Sequence, residues 1–227
     1  MGELDDPVVV DFPLRGEWAA ANTPAHRIPS HGTDMLGQRY AFDFVRIDHR
    51  KGFHLHPAST LTSWVIGGRT RDCYGWGQPV HAAFDGEVVT AADGVAERGW
   101  LHVVRELALV VKNAVTFDPA KGVTPVAGNH VVMRMNGAFA FYAHLSPGSV
   151  AVKQGDTVRT GELLGRVGHT GNSTAPHLHF QMMDSADPLE AKGIPSAFAA
   201  YEVERDGRWE RVERGIPARR ERIRSIS

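Results

Sequence analysis

The sequence predicts an all-β domain on three observations. Short runs of β-branched and aromatic residues recur along the chain, Gly, Pro, Asn and Asp separate them, and stretches with a helical period are scarce. At 227 residues the chain fits one domain with additions, and it can bury a full core without covalent help. Hydrophobic residues make up 42% of it, and no run approaches the roughly 18 apolar residues that span a bilayer, so it reads as soluble and globular with no membrane span. A net charge of -1 supplies no general attraction to nucleic acid. The single cysteine, Cys73, excludes an intrachain disulfide framework and reads as a small buried hydrophobe before it reads as a soft metal ligand.

In chain order, the runs Pro7 to Phe12, Tyr40 to Ile47, Gly86 to Ala91, Leu107 to Lys112, His130 to Met135, Ala138 to Leu145, Thr157 to Val167 and His177 to Met183 read as strands. Asn136-Gly137 lies between two of them. Both residue types accept positive φ, which a two-residue hairpin turn demands, so His144 is expected near the end of the second hairpin strand. The glycines of Gln154 to Gly165 mark tight turns. Helix is expected only in short pieces, at Ala186 to Lys192 and Pro195 to Ala200. Phe12 to Asp34 reads as a polar extension, and the long stretch from Arg46 to Gly77 as a loop over a site. The basic run Ala218 to Arg224 reads as a solvated tail. Asp85, Asp156 and Asp184 beside glycines read as turn residues. Trp76, Trp100 and Phe141 read as core before they read as sugar-stacking platforms. The amino-terminal stretch is acidic and its apolar run is short, unlike a secretory signal. The sequence as written therefore predicts a cytoplasmic location, or an extracytoplasmic one if a signal has been removed or another export route is used.

The most informative stretch is Ala175-Pro-His-Leu-His-Phe180. Side chains on a strand repeat every second residue, so His177 and His179 share a face, roughly 6.6 Å apart at about 3.3 Å per residue. They suit one shared ion or one reacting water. Upstream stand Gly77-Gln-Pro-Val-His-Ala-Ala-Phe-Asp-Gly-Glu-Val-Val89, Tyr142-Ala-His144, the glycine-rich Val152 to Gly168, and His169-Thr-Gly-Asn-Ser-Thr. In this order the segments resemble the lysostaphin-type (LytM-like) zinc endopeptidases, which cleave peptide cross-links of bacterial cell walls. The resemblance covers about residues 39 to 190 and is strongest from Gly77 to Phe180. Lipoyl- and biotin-carrying sandwiches share the Gly-Asp-x-Val-x-x-Gly pattern, but no hairpin lysine follows here.

The resemblance implies a lysostaphin-like β-sandwich of the barrel-sandwich hybrid type over residues 39–190, with an N-terminal extension (1–38) and a C-terminal extension (191–227) packed on it. It implies zinc on Asp43 and His179, with His144 and His177 at the scissile bond. It also implies a peptide or peptidoglycan-derived substrate. The family's H-x-x-x-D segment corresponds here to Arg39-Tyr-Ala-Phe-Asp43, and a guanidinium offers only donors, so Arg39 cannot ligate a metal. A catalytic zinc site needs about three protein ligands and an open position. Three readings of the third ligand stand open. His31 compensates, with His81, His54 and His56 as further candidates; Arg39 pairs with Asp43 and the site is dead; or the register is shifted. Two functions correspond to them: a zinc metalloendopeptidase, and an inactive peptide- or partner-binding module of the same fold.

Overall fold

The computed structural model describes residues 6–58 and 66–226. Among these residues the strands are β1 (Val8–Val10), β2 (Glu17–Asn22), β3 (Phe42–Val45), β4 (Gly68–Arg69), β5 (Pro79–His81), β6 (Gly86–Ala92), β7 (Trp100–Leu101), β8 (Asn129–Met135), β9 (Ala138–Leu145), β10 (Thr157–Val158), β11 (Leu163–Arg166), β12 (Leu178–Met183), β13 (Gly193–Ile194), β14 (Ser196–Arg205), β15 (Arg208–Gly215) and β16 (Arg222–Arg224). Helices α1 (Val103–Val115) and α2 (Thr124–Ala127) lie between β7 and β8. Twelve of the described strands form one sheet in the order β1-β14-β16-β2-β3-β12-β9-β8-β6-β10, with β13 on β12 and β15 on β14. The β5–β11 ribbon forms a second layer, because Val80 and Leu164 share one core with Val131, Tyr142, Leu178 and Phe180. The molecule is therefore mostly β, as the punctuated strand runs predict.

Alternation decides which residues reach the core. On β12, Leu178, Phe180 and Met182 enter it; on β3, Phe42 and Phe44 do; on β9, Ala140 and Tyr142 do. The intervening residues face away from that core, which is the strand period of two at work. Asn136 (φ 44) and Gly137 (φ 85) turn the β8–β9 hairpin with positive φ at both positions, the conformation expected of Asn-Gly.

Several expectations are corrected. Leu107 to Lys112 is not a strand but the middle of α1. Its apolar run fits either period, and Ala, Leu, Glu and Lys are helix formers that place Glu106, Val110 and Asn113 on one face. Ala186 to Lys192 forms turns, and Pro195 to Ala200 runs into strand β14, where Ser196, Ala197 and Phe198 are buried. Thr157 to Val167 divides into two short strands around the turn at Gly161 (φ 84). The basic run at 218–224 is not a solvated tail: Arg222–Arg224 forms β16, Ile223 is buried, and Arg222 and Arg224 pair with Glu17 and Glu202. The segments before residue 39 and after residue 190 contribute strands to the main sheet, and Phe12 and Phe198 lie in the same core as Phe42 and Phe44.

Candidate metal centre

Strand register brings the central pair together. His179 on β12 stands opposite Asp43 on β3 and opposite Ala143 on β9. His179 Nδ1 lies 2.9 Å from Asp43 Oδ1, and His177 Nε2 lies 3.3 Å from the same oxygen. On the other side, His31 Nε2 is 2.8 Å from Asp43 Oδ2, and Asn22 donates from Nδ2 to that oxygen at 2.7 Å. One ligand atom each from His31, Asp43 and His179 falls within 4.8 Å of the others. Two imidazole nitrogens and a carboxylate oxygen form the donor set that suits zinc in an open catalytic site, so these residues fit the ion.

His144 completes the constellation. It sits at the end of β9 with φ 64, an unfavourable backbone for a residue with a β-carbon, and its ring centroid is 4.7 Å from that of His177. His144 Nδ1 donates to Thr170 O at 2.9 Å, and His177 Nδ1 donates to Ala175 O at 2.7 Å. A carbonyl only accepts, so both rings carry a proton on Nδ1 and turn Nε2 inward. The residues line a cleft of about 450 Å³, whose walls include Leu36, Val110, Phe117, Val126 and Phe141.

The charges follow from burial and neighbours. Burial alone would raise the Asp43 carboxyl, but the charges of His31 and His177 and hydrogen bonds from His177 and His179 hold it well below the usual carboxylate range. Burial would lower His177, yet Asp43 outweighs it and the imidazole is raised. His144 is held well below the usual imidazole value by burial, then by His177 and His179. Burial also lowers His179, against the pull of Asp43.

Arg39 takes no part in this cluster through the expected partner: its Nη1 pairs with Asp34 at 2.7 Å and its Nε donates to Tyr40 Oη. The segment Met35–Tyr40 is a 3-10 turn rather than a flat strand, which carries the Arg39 side chain away from the Asp43 carboxylate. His81 instead donates to Gly161 O, and His56 Nδ1 accepts from Ala58 N. Cys73 is buried with its thiol pushed up to about 12, chiefly by burial. Asp85, Asp156 and Asp184 accept backbone N–H groups of Thr160, Lys153 and Lys192, as turn residues do.

Sequence reasoning missed a supporting network. Ser173 Oγ lies 3.1 Å from His177 Nδ1 and 3.0 Å from His169 Nδ1, and it donates to Ala175 O. Arg98 binds Ser173 O, Gly171 O and the buried Glu106 of α1, while Asn113 of α1 donates to Asn172. These contacts dock α1 onto the loop that carries His177. The only local signal for them was the helical spacing of Glu106 and Asn113.

The mostly β domain thus gathers a two-histidine, one-carboxylate donor set and two further inward imidazoles in one cleft. The sequence model of Peptidase family M23 matches residues 73–191, more than half of the chain, and the chain belongs to that family. The matched stretch contains His144, His177 and His179, whereas His31 and Asp43 precede it. The DD-carboxypeptidase/endopeptidase Mpg of Neisseria meningitidis serogroup B is 32% identical over 186 residues, covering 77% of this chain and 35% of its own. The glycyl-glycine endopeptidase ALE-1 of Staphylococcus capitis is 34% identical over 112 residues, covering 48% of this chain and 22% of its own. This chain thus spans about a third of the length of the first relative. Among solved structures, the catalytic domain of lysostaphin from Staphylococcus simulans aligns with a TM-score of 0.38 at 21% identity, covering 79% of this chain and 88% of that one. The chain is an M23 peptidase domain similar to peptidoglycan endopeptidases, a family that is zinc-dependent in general.

Proposed function

We propose that this protein is a zinc-dependent endopeptidase acting on the peptide cross-links of peptidoglycan, with His31, Asp43 and His179 holding the ion. The observation that carries the reading is the convergence of His31, Asp43, His144, His177 and His179 on one cleft. Zinc bound there would supply a Lewis acid for the scissile carbonyl and lower the pKa of a bound water. His144, held neutral with its proton on Nδ1, offers Nε2 as the acceptor for a proton from the attacking water. His177, whose affinity for a proton is raised beside Asp43, offers an N–H on the same side to the oxygen that gains negative charge. The dead-site reading placed Arg39 on Asp43, whereas Arg39 pairs with Asp34 at 2.7 Å. The names of the relatives support a cell-wall substrate, and such a substrate would place the activity outside the cytoplasmic membrane. Among the described residues no helix is long and apolar enough to cross a membrane.

The test is hydrolysis of purified cross-linked muropeptides by the zinc-loaded chain, followed by new amino groups and by mass. Cleavage that a chelator stops, that zinc restores and that His177→Ala loses supports the reading. Absence of cleavage with zinc bound stoichiometrically, across direct and glycine-bridged cross-links, overturns it.

A further inference from the structure

We propose that the outer face of α1, together with an arginine-lined depression at its N-terminal end, docks the domain on the surface of an anionic phospholipid bilayer. This surface lies outside the cleft and involves none of the cleft's histidines.

Among the described residues, most of the exposed large hydrophobic side chains gather here: Ile66, Trp100, Val104, Leu107, Val111 and Val115. An α-helix returns to nearly the same side after seven residues and after eleven, so Val104, Val111 and Val115 form one stripe with Leu107 on its edge. They are 56%, 63%, 82% and 50% exposed. Arg105 of the helix donates to Trp100 O, and the Trp100 indole donates to Ile66 O at 3.0 Å, which joins these two residues to the N-terminal end of the stripe. Single exposed apolar residues are ordinary, whereas a contiguous apolar stripe marks a surface with a partner.

The other side of α1 is held by polar contacts. Glu106 is buried and pairs with Arg98, and Asn113 donates to Asn172. A helix that only completes a core turns its apolar side inward, so packing within the domain does not account for the outward stripe. Val110 and Asn113, away from the stripe, line the cleft, so the stripe and the cleft are separate surfaces.

The charge beside the stripe selects the partner. Arg69, Arg71, Arg98 and Arg105 line a depression of about 660 Å³ with Gly99 and Trp100, and none of the lining residues is acidic. Arg98 and Arg105 share the single carboxylate of Glu106, which leaves one positive charge uncompensated. Arg69 and Arg71 form no salt bridge among the described residues. Arg69 stands opposite Trp100 in the β4–β7 pair, and the Arg71 guanidinium lies 5.2 Å from the Trp76 ring centroid. Lys112 is exposed next to Val111, and a lysine stem can lie along apolar surface while its ammonium reaches for headgroups. An apolar stripe bordered by arginines, a lysine and an indole has the composition of a helix that lies in a bilayer interface. Acyl chains take the stripe, phosphates take the guanidiniums, and tryptophan sits at headgroup depth. An isologous dimer through this face would bring the arginine depressions of two copies into one interface, with no acidic side chain in either lining to meet them.

The experiment is co-sedimentation of the full chain, without zinc, with vesicles of equal parts phosphatidylglycerol and phosphatidylcholine or of phosphatidylcholine alone. Binding to the mixed vesicles is expected to be at least about tenfold tighter than to phosphatidylcholine and to weaken as salt is raised. Leu107→Gln with Val111→Gln, which replaces two exposed apolar side chains by neutral helix formers, should weaken binding about tenfold or more. Arg69→Gln with Arg71→Gln should weaken binding to the mixed vesicles by about fivefold per arginine and leave binding to phosphatidylcholine unchanged. Circular dichroism establishes that each variant is folded. Failure of the wild type to bind the mixed vesicles overturns the proposal whatever the variants do, and so does wild-type binding by the folded Leu107→Gln, Val111→Gln protein. Sedimentation velocity supplies the remaining outcome: a wild-type dimer that this double substitution dissociates, without vesicle binding, would make the face a contact between copies and overturn the bilayer assignment. Neither zinc nor hydrolysis enters these readouts, so failure of the peptidase reading is distinguishable from failure of this one.

Discussion

Removal of His31 is the perturbation that most sharply probes the metal centre, because this residue stands twelve positions before Asp43 and outside the stretch the family model matches. In the structure its Nε2 is 2.8 Å from Asp43 Oδ2, its ring centroid is 4.9 Å from that of His179, and its side chain is 15% exposed. A four-ligand structural zinc site binds with about 10–16 kcal/mol, or roughly 2.5–4 kcal/mol per ligand. At about 1.4 kcal/mol per tenfold, His31→Ala should weaken zinc binding by about two to three orders of magnitude. The assay is competition against a chromophoric chelator of known affinity, with the exposed His26→Ala as the control. The fold should persist, since the loss falls at the cleft and not in the phenylalanine core. Zinc affinity equal to wild type in a folded His31→Ala protein would refute the assignment and shift attention to other donors.

Three further outcomes are expected. Arg39→His should leave zinc affinity unchanged, because the Arg39 guanidinium points to Asp34; a clear gain would show that position 39 reaches the ion. Phe198→Ala should cost about 3–5 kcal/mol in urea unfolding, as for other buried Phe→Ala changes, because its ring lies 5.2 Å from Phe12, 5.2 Å from Phe42 and 5.6 Å from Phe44. One cooperative transition is expected for the whole chain, and a separate early transition for the C-terminal strands would contradict a shared core. Burial first, then Arg98, lowers His169 to about 3, so between that value and the ordinary imidazole value of about 6.5 the unfolded chain binds a proton that the native chain does not. Native stability from this residue is therefore present above pH ~6.5 and falls as the pH drops toward 3, by up to about 1.4 kcal/mol per unit. The Glu106 oxygen 3.4 Å from His169 Nε2 pulls the other way, but Arg98 occupies the same nitrogen at 3.3 Å. His169→Asn should flatten the acid limb of the stability profile, and an unchanged limb would show that His169 is not its source.

What was legible in the sequence is what local chemistry encodes. Leu178, Phe180 and Met182 alternating with His177, His179 and Gln181 fix both the core face and the cleft face of β12, and Asn136-Gly137 fixes the neighbouring hairpin. Alternation is a local property, so the sequence shows it. Helix α1 was obscured because Leu107 to Lys112 is apolar on both of its helical faces, with Leu107 and Val111 left exposed, and such a run satisfies strand and helix templates alike. Strand β16 was obscured by its arginines: Arg222 and Arg224 flank a buried Ile223, yet charge dominates so short a window. Their partners Glu17 and Glu202 are remote in sequence, and nothing local announces them. The residues behind the histidines were hidden for a different reason. Ser30 and Gln181 contact His31 and His179 while hydrogen-bonded to the carbonyls of Gln38 and Leu36, and a backbone carbonyl has the same identity at every position until the chain is folded.

The most direct test of the central claim is a crystal of the full chain grown with zinc, with anomalous diffraction recorded above and below the zinc absorption edge. One strong anomalous peak is expected, bounded by His31, Asp43 and His179 and open toward His144 and His177. A peak that excludes His31, or an ordered cleft with no peak while zinc is bound elsewhere, would contradict it.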